Sequence, residues 1–186
     1  MRLPAPRIAP LSDSELTPEA REALAALPEY ARGFNIFRTQ AHNPDALGAF
    51  LAWGNYILSP RNSLSERQRE LAILRVGYLC RAGYEWAQHA VIGQRAGITA
   101  EELGAIKQGP DASGWDPLDA AILRACDELV RDHHIGDATW AALAPLGDTG
   151  RVDLVYTVGQ YTQVSMLLNS CGVQLDPGLA GGPDLG

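Results

Sequence analysis

Three ionisable residues between positions 65 and 98 have the types and spacing that acid–base chemistry requires. Glu85 and His89 are four residues apart, so on a helix their side chains lie on one face, one turn from each other. Glu70 belongs to the apolar helical segment that precedes them. A histidine and two carboxylates can perform general acid–base catalysis when burial and neighbouring charges bring a pKa close to neutrality. Glu70, Glu85 and His89 are therefore the candidate catalytic residues.

Each of these residues also has a purely structural interpretation. Glu70 can pair with Arg67 or Arg75. His89 can be a core histidine bonded to a backbone carbonyl, and Glu85 can be favoured by the positive end of its helix dipole. Taken singly, each structural role is the commoner one. Taken together, two acids and a histidine beside small and aromatic residues are costly to desolvate without a functional role.

Metal binding is a rival use of the same three side chains. Zinc takes three or four ligands, and one histidine with carboxylates is a poor match to its usual set. His133 and His134 are available as further ligands, but adjacent helical residues point about 100° apart. We expect neither a metal nor a cofactor.

Thiol and serine chemistry have little support in the sequence. The three cysteines lie in apolar surroundings without any Cys-x-x-Cys spacing, and such cysteines usually behave as small buried hydrophobic residues; they are Cys80, Cys126 and Cys171. There is no Gly-x-Ser-x-Gly elbow and no glycine-rich phosphate loop.

The elements that must position these residues are helices. Nearly every segment has apolar residues at helical spacing behind a recognisable cap, and no convincing alternating strand occurs. The fold class is therefore all-α, with about seven to eight helices. The predicted helices begin at Thr17, Asn43, Ser65, near Tyr84, and at Thr99, Asp116 and about Gly150, with a short segment from Asp137 to Leu143 before the last one. Residues 29–43 are predicted to be an aromatic-rich loop.

The chain length of 186 residues suits one domain with trailing ends. Residues 1–16 contain three prolines and should form an extended arm. Residues 17–175 should form the helical domain. Residues 176–186 are rich in glycine and proline and should be a loosely held, flexible tail.

The overall composition excludes several classes of partner. A net charge of −7 and a pI near 5.0 provide no basic surface for a nucleic-acid backbone. No apolar run reaches the roughly 18 residues of a membrane span. The N-terminus has no apolar signal-peptide region, and an odd number of scattered cysteines argues against a disulfide framework. We expect a cytoplasmic protein.

The segment from Glu70 to His89, with its run Tyr84-Glu85-Trp86-Ala87-Gln88-His89, resembles the carboxymuconolactone decarboxylase family, which also contains the alkyl hydroperoxidase D-like proteins. The resemblance covers about residues 35–175, including the stretches 35–38, 42–44, 127–129 and 159–169. It implies an all-helical subunit that assembles as a homotrimer or homohexamer, with sites near the subunit contacts.

The chain departs from the peroxidase members of that family. Those members carry a Cys-x-x-Cys ahead of the histidine and a glutamate on the preceding helix. Glu70 and His89 match that glutamate and histidine, but the cysteine positions hold Ala82 and Glu85 here. Disulfide-based peroxide reduction is therefore not available by that route.

The resemblance and the residues together predict a cofactor-independent lyase, a decarboxylase of a small carboxylated lactone or related oxo-acid. His89 would donate the proton, Glu70 would orient the His89 ring or relay protons, and Glu85 would tune the pair formed by Glu70 and His89. The candidate substrate-binding residues are four aromatic pocket walls and one arginine that could grip a carboxylate bidentately, namely Tyr84, Trp86, Phe37, Trp53 and Arg38. Two alternatives remain open, an alkyl hydroperoxidase-like oxidoreductase and a non-catalytic helical partner protein.

Overall fold

The helices predicted from the caps are present in the computed structural model, which describes residues 1–179. Within that range the chain forms nine α-helices, two short 3-10 helices and no strand. The α-helices are α1 Pro18–Ala25, α2 Asn35–Gln40, α3 Pro44–Ile57, α4 Glu66–Leu79, α5 Gly83–Arg95, α6 Ala100–Gln108, α7 Pro117–Asp132, α8 Asp137–Ala142 and α9 Gly147–Cys171. The all-α prediction is confirmed, with slightly more helices than predicted.

Local caps explain where most helices begin. The Ser65 hydroxyl accepts from the backbone N–H of Gln68, and the Gln68 side chain accepts from the backbone of Ser65, which completes a capping box at the start of α4. Thr99 and Glu102 form the same arrangement at the start of α6. Because such caps involve residues only three positions apart, the sequence alone reveals them.

Helix α2 lies within residues 29–43, where the sequence predicted a loop. Its N-cap residue, Phe34, supplies no capping side chain. The missing acceptor comes from Asp176, whose Oδ1 lies 2.7 Å from the backbone nitrogen of Asn35. The prediction of a loop was wrong here because the cap lies 141 positions away along the chain.

Helix α4 is the central element and packs against α5, α7 and α9. Five of its apolar residues are fully buried, as expected of a helix that is surrounded on all sides; they are Leu71, Ala72, Ile73, Leu74 and Val76. Arg75 is buried too, and its guanidinium makes two bonds to the Asp127 carboxylate, at 2.6 and 2.8 Å. This ion pair joins α4 to α7.

Both ends of the described chain pack onto the helical domain. In the arm, the backbone N–H of Arg7 donates to the carbonyl of Cys171 at 2.8 Å, and that of Leu11 donates to the carbonyl of Arg38 at 3.2 Å. Asp176 is buried, so the loosely held tail cannot begin at that residue. The rest of the predicted tail, residues 180–186, lies outside the described residues. Among residues 1–179, no helix is long and apolar enough to cross a membrane.

Candidate active site

The turn between α4 and α5 brings the predicted catalytic residues together. Arg81 adopts a left-handed conformation, with φ of 54°, and the following helix packs back along α4. Glu70 near the start of α4 and His89 in the middle of α5 thereby meet, although they are 19 positions apart. The sequence-predicted pair is thus a real contact in the fold.

The imidazole of His89 is bonded to the carboxylate of Glu70. The Nδ1–H of His89 donates to Glu70 Oε2 at 2.8 Å, and both side chains are buried. This bond fixes the ring orientation and the tautomer, leaving Nε2 as the ring nitrogen available to exchange a proton with a ligand.

Tyr161 on α9 holds the other side of the imidazole. The two rings meet edge to face, with centroids 5.0 Å apart and an interplanar angle of 89°. Burial raises the pKa of the Tyr161 hydroxyl well above its usual value, and the nearby Glu70 carboxylate raises it further. Tyr161 therefore remains a neutral phenol that can donate a hydrogen bond.

Glu85 is buried beside this pair. Its Oε2 accepts from the Ser165 hydroxyl at 3.1 Å, whereas its Oε1 has no partner among the described residues. Gly77 leaves room for the carboxyl group, because a Cβ there would lie only 3.2 Å from Oε1.

The protonation of Glu85 follows from this environment. Burial is the largest cause that raises its pKa well above the usual value; the bond from Ser165 opposes that rise and the charge of Glu70 adds to it. The uncharged acid is therefore favoured over the carboxylate.

A cavity of about 380 Å³ opens beside His89. Its volume lies at the small end of the range for ligand pockets. The walls come from α2, α3, α5, α9 and the segment before α2, and they are largely apolar; they include Phe34, Ile36, Phe50, Leu51, Val164 and Leu168. No arginine or lysine of the described chain lines the cavity. It is therefore suited to a small ligand with a large apolar part.

Four of the predicted site residues line the cavity. They are Phe37, Tyr84, Glu85 and His89, while Glu70 stands behind His89 and contacts it directly. Within residues 1–179, no group of three or more His, Cys, Asp or Glu side chains is placed to hold a metal ion.

The other three predicted substrate-binding residues lie outside the cavity. Trp86 lies about 100° around α5 from Glu85, so its side chain packs in a separate core cluster. The Lys107 Nζ lies over its ring, 5.3 Å from the ring centroid. Trp53 packs edge to face with Tyr156 at 6.1 Å. Their positions do not support a role as pocket walls.

Arg38 is directed to the N-terminal arm instead of the cavity. Its guanidinium lies 2.7 Å from the Asp13 carboxylate and donates to the carbonyl of Arg32 at 2.7 Å. The arginine therefore joins the arm to α2, and its position does not support the prediction that it grips a substrate carboxylate.

Sequence reasoning gave no site role to several residues that line the cavity. Gln88 lies one turn from Tyr84, and its amide Nε2 donates to Asp176 Oδ2 at 2.8 Å; the Tyr84 hydroxyl donates to the same oxygen. Gln160 and Tyr161 come from α9. In the sequence, Gln160 and Tyr161 are distinguished only as polar residues within an apolar helical run. Nothing nearby links them to the site, because Glu70, Glu85 and His89 lie more than 60 positions earlier in the chain.

Residues 44–128 match the sequence profile of the carboxymuconolactone decarboxylase family. Solved structures extend the likeness over almost the whole chain. The alkylhydroperoxidase AhpD core, an uncharacterized peroxidase-related protein from Ralstonia eutropha JMP134, is 19% identical with a TM-score of 0.72, covering 91% of this chain and 93% of that chain. An uncharacterized peroxidase-related protein from Silicibacter sp. TM1040 is 16% identical with a TM-score of 0.77, covering 94% of this chain and 95% of that chain.

A third structural relative is the debrominase Bmp8. Its apo structure is 16% identical with a TM-score of 0.71, and covers 91% of this chain and 92% of that chain. A cysteine-to-alanine variant of Bmp8 in complex with 2,3,4-tribromopyrrole has a TM-score of 0.68. At these identities the likeness establishes a shared fold. A comparison with curated proteins gave no significant match.

Proposed function

We propose that the chain, whose residues 44–128 match the carboxymuconolactone decarboxylase family and whose fold is AhpD-like, is a cofactor-independent lyase that decarboxylates a small oxo-acid or carboxylated lactone. The observation that carries the proposal is the buried bond between His89 and Glu70 at the edge of an apolar cavity. A histidine oriented in this way is a general acid with one nitrogen facing the ligand.

The proposed reaction begins when the bond between the substrate carboxylate and its neighbouring carbon breaks. Carbon dioxide leaves, and the electron pair remains on that carbon and is delocalised into the adjacent carbonyl as an enolate. His89, protonated on both ring nitrogens at this stage, donates its Nε2 proton to the carbon and becomes neutral, and water restores the proton for the next cycle. While the imidazole carries its positive charge, Glu70 stabilises it through the 2.8 Å bond to Nδ1.

The apolar walls assist the loss of carbon dioxide. A carboxylate in a cavity without an arginine or lysine is poorly solvated, whereas the enolate spreads its charge and carbon dioxide carries none. An uncharged Glu85 adds no further repulsion toward the substrate anion.

The test begins with a screen of small oxo-acids and carboxylated lactones for release of carbon dioxide. With an active substrate, His89→Gln should lower kcat by about 10²–10⁴-fold with a modest change in KM. Glu70→Gln should impair the same step, and the double variant should be little worse than the worse single variant because the two residues act as a unit. His42→Gln is the matched control, since His42 bonds the carbonyl of Ala9 away from the cavity. Normal turnover by His89→Gln, or additive losses, would contradict the proposal.

An AhpD-like thiol oxidoreductase is the second candidate, favoured by the likeness to peroxidase-related structures. Two observations weigh against it. The positions 82 and 85 hold alanine and glutamate. Cys80, the cysteine closest to these positions in sequence, has a pKa raised chiefly by burial, which lowers its thiolate fraction. A non-catalytic partner protein is the third candidate, and a complete absence of turnover across the screen would favour it.

A further inference from the structure

Gln160 carries a buried amide group that nothing in the described chain satisfies. The residue is 1% exposed, and neither its Oε1 nor its Nε2 has a hydrogen-bond partner among residues 1–179. An unsatisfied buried polar group destabilises the folded state, so most native proteins pair such groups. The side chain lines the cavity beside His89, where a bound molecule can supply both missing partners.

The position of Gln160 in α9 ties it to the proposed acid–base pair. It directly precedes Tyr161, whose ring contacts the imidazole of His89. Gly54 on α3 lies next to the amide, since an added Cβ there would be in ordinary contact with the Gln160 Nε2, at 3.8 Å.

The chemistry of a primary amide defines what it can recognise. Nε2–H donates to a carbonyl oxygen, and Oε1 accepts from an O–H or N–H group. A ligand that carries a carbonyl next to such a donor pairs with both atoms at once, whereas a hydrocarbon or a simple ketone leaves one or both unpaired. Sites built to hydrogen-bond a ligand reject analogues that lack the matching group.

We propose that Gln160 determines substrate specificity by binding a carbonyl oxygen through Nε2 and an adjacent O–H or N–H group through Oε1. The substrate is then a small, largely apolar carbonyl compound with a hydrogen-bond donor next to the carbonyl. The inference rests on the proposed function only in taking this cavity as the substrate site.

Two small lactams test the inference without any turnover. 2-Piperidone offers a carbonyl and an adjacent N–H, and N-methyl-2-piperidone lacks the donor. In NMR titrations the wild-type chain should bind 2-piperidone about three- to tenfold more tightly than the N-methyl compound. Gln160→Leu should abolish this preference. Comparing the preference between proteins removes the contribution of the extra methyl group.

Gln40 provides a matched control, because it is also buried with an unpartnered amide nitrogen but does not line the cavity. Gln40→Leu should retain the wild-type preference for 2-piperidone. Gln160→Leu should also keep or raise the melting temperature, since leucine removes an unpaired polar group, whereas a structural role for Gln160 predicts a lower value.

Three results would overturn the inference. They are no binding of either lactam to the wild-type chain, equal binding of both, and an unchanged preference in Gln160→Leu. Failure of the proposed decarboxylation has a different signature. In that case no carbon dioxide is released, while the lactam preference and its loss in Gln160→Leu persist.

Discussion

Glu85 occupies a place in the core where a charged carboxylate is unfavourable. Its pKa is raised well above the usual value, chiefly by burial, so the native chain keeps a proton that the unfolded chain releases above about pH 4.3. The free energy of unfolding should therefore fall as the pH rises from about 4.3 to the raised pKa of Glu85 in the folded chain. Above that pKa, Glu85 should cause no further change in stability.

Replacing Glu85 with glutamine removes this titration while retaining the shape of the side chain. Urea unfolding at pH 5 and pH 8 should show that Glu85→Gln gains stability relative to the wild type as the pH rises. Glu22→Gln, at an exposed position of α1, is the control and should follow the wild-type curve. A constant difference between Glu85→Gln and wild type at the two pH values would mean that Glu85 is not held as an acid.

The three cysteines should be dispensable for turnover. Burial raises the pKa of the thiols of Cys80 and Cys126, so neither is an effective nucleophile near neutral pH. Replacing all three cysteines with serine should leave kcat per folded molecule unchanged. The variant should lose roughly 1–3 kcal/mol of stability, because a hydroxyl replaces the fully buried Cys126 thiol. Loss of activity with the fold intact would instead support thiol chemistry.

At the scale of the elements, one buried ion pair joins α4 to α7 in addition to their apolar contacts. The Arg75 guanidinium donates two hydrogen bonds to the Asp127 carboxylate and another, at 2.7 Å, to the backbone carbonyl of Ile106 in α6. Asp127→Ala leaves the guanidinium buried and without its charged partner, so we expect a loss of about 3–5 kcal/mol in denaturant unfolding. Asp111→Ala breaks the exposed pair with Arg124 and should cost at most about 1 kcal/mol. Equal effects of the two substitutions would mean that the buried pair does not hold α4 against α7.

At the scale of the whole molecule, α9 presents an apolar face that the monomer leaves uncovered. Val152, Tyr156 and Met166 are 54%, 51% and 64% exposed. The arm packs along its own chain, so α9 is the main candidate for docking another subunit. We expect a trimer or hexamer, which light scattering would detect as three or six times the chain mass of 20.0 kDa. Met166→Asp should shift the mass toward the monomer. A wild-type mass of 20.0 kDa at micromolar concentration would contradict this prediction.

The sequence by itself determined the all-helical class and most helix starts. These features depend on short-range rules. Ser65 with Gln68 and Thr99 with Glu102 satisfy backbone groups within one turn, and apolar residues at helical spacing define the buried faces. The pairing of Glu70 with His89 was predicted from the family resemblance, whereas the four-residue spacing applied to Glu85 and His89. Two adjacent packed helices bring Glu70 and His89 together.

Only the tertiary structure decided which side chains face the cavity. Trp86 and Arg38 were plausible binding residues from their types, but Trp86 joins another core cluster and Arg38 pairs with Asp13. Helix α2 needs a cap from Asp176, and Gln160 reaches the cavity from a helix far along the chain. These outcomes depend on contacts between residues distant in sequence, whereas composition and periodicity report only on near neighbours.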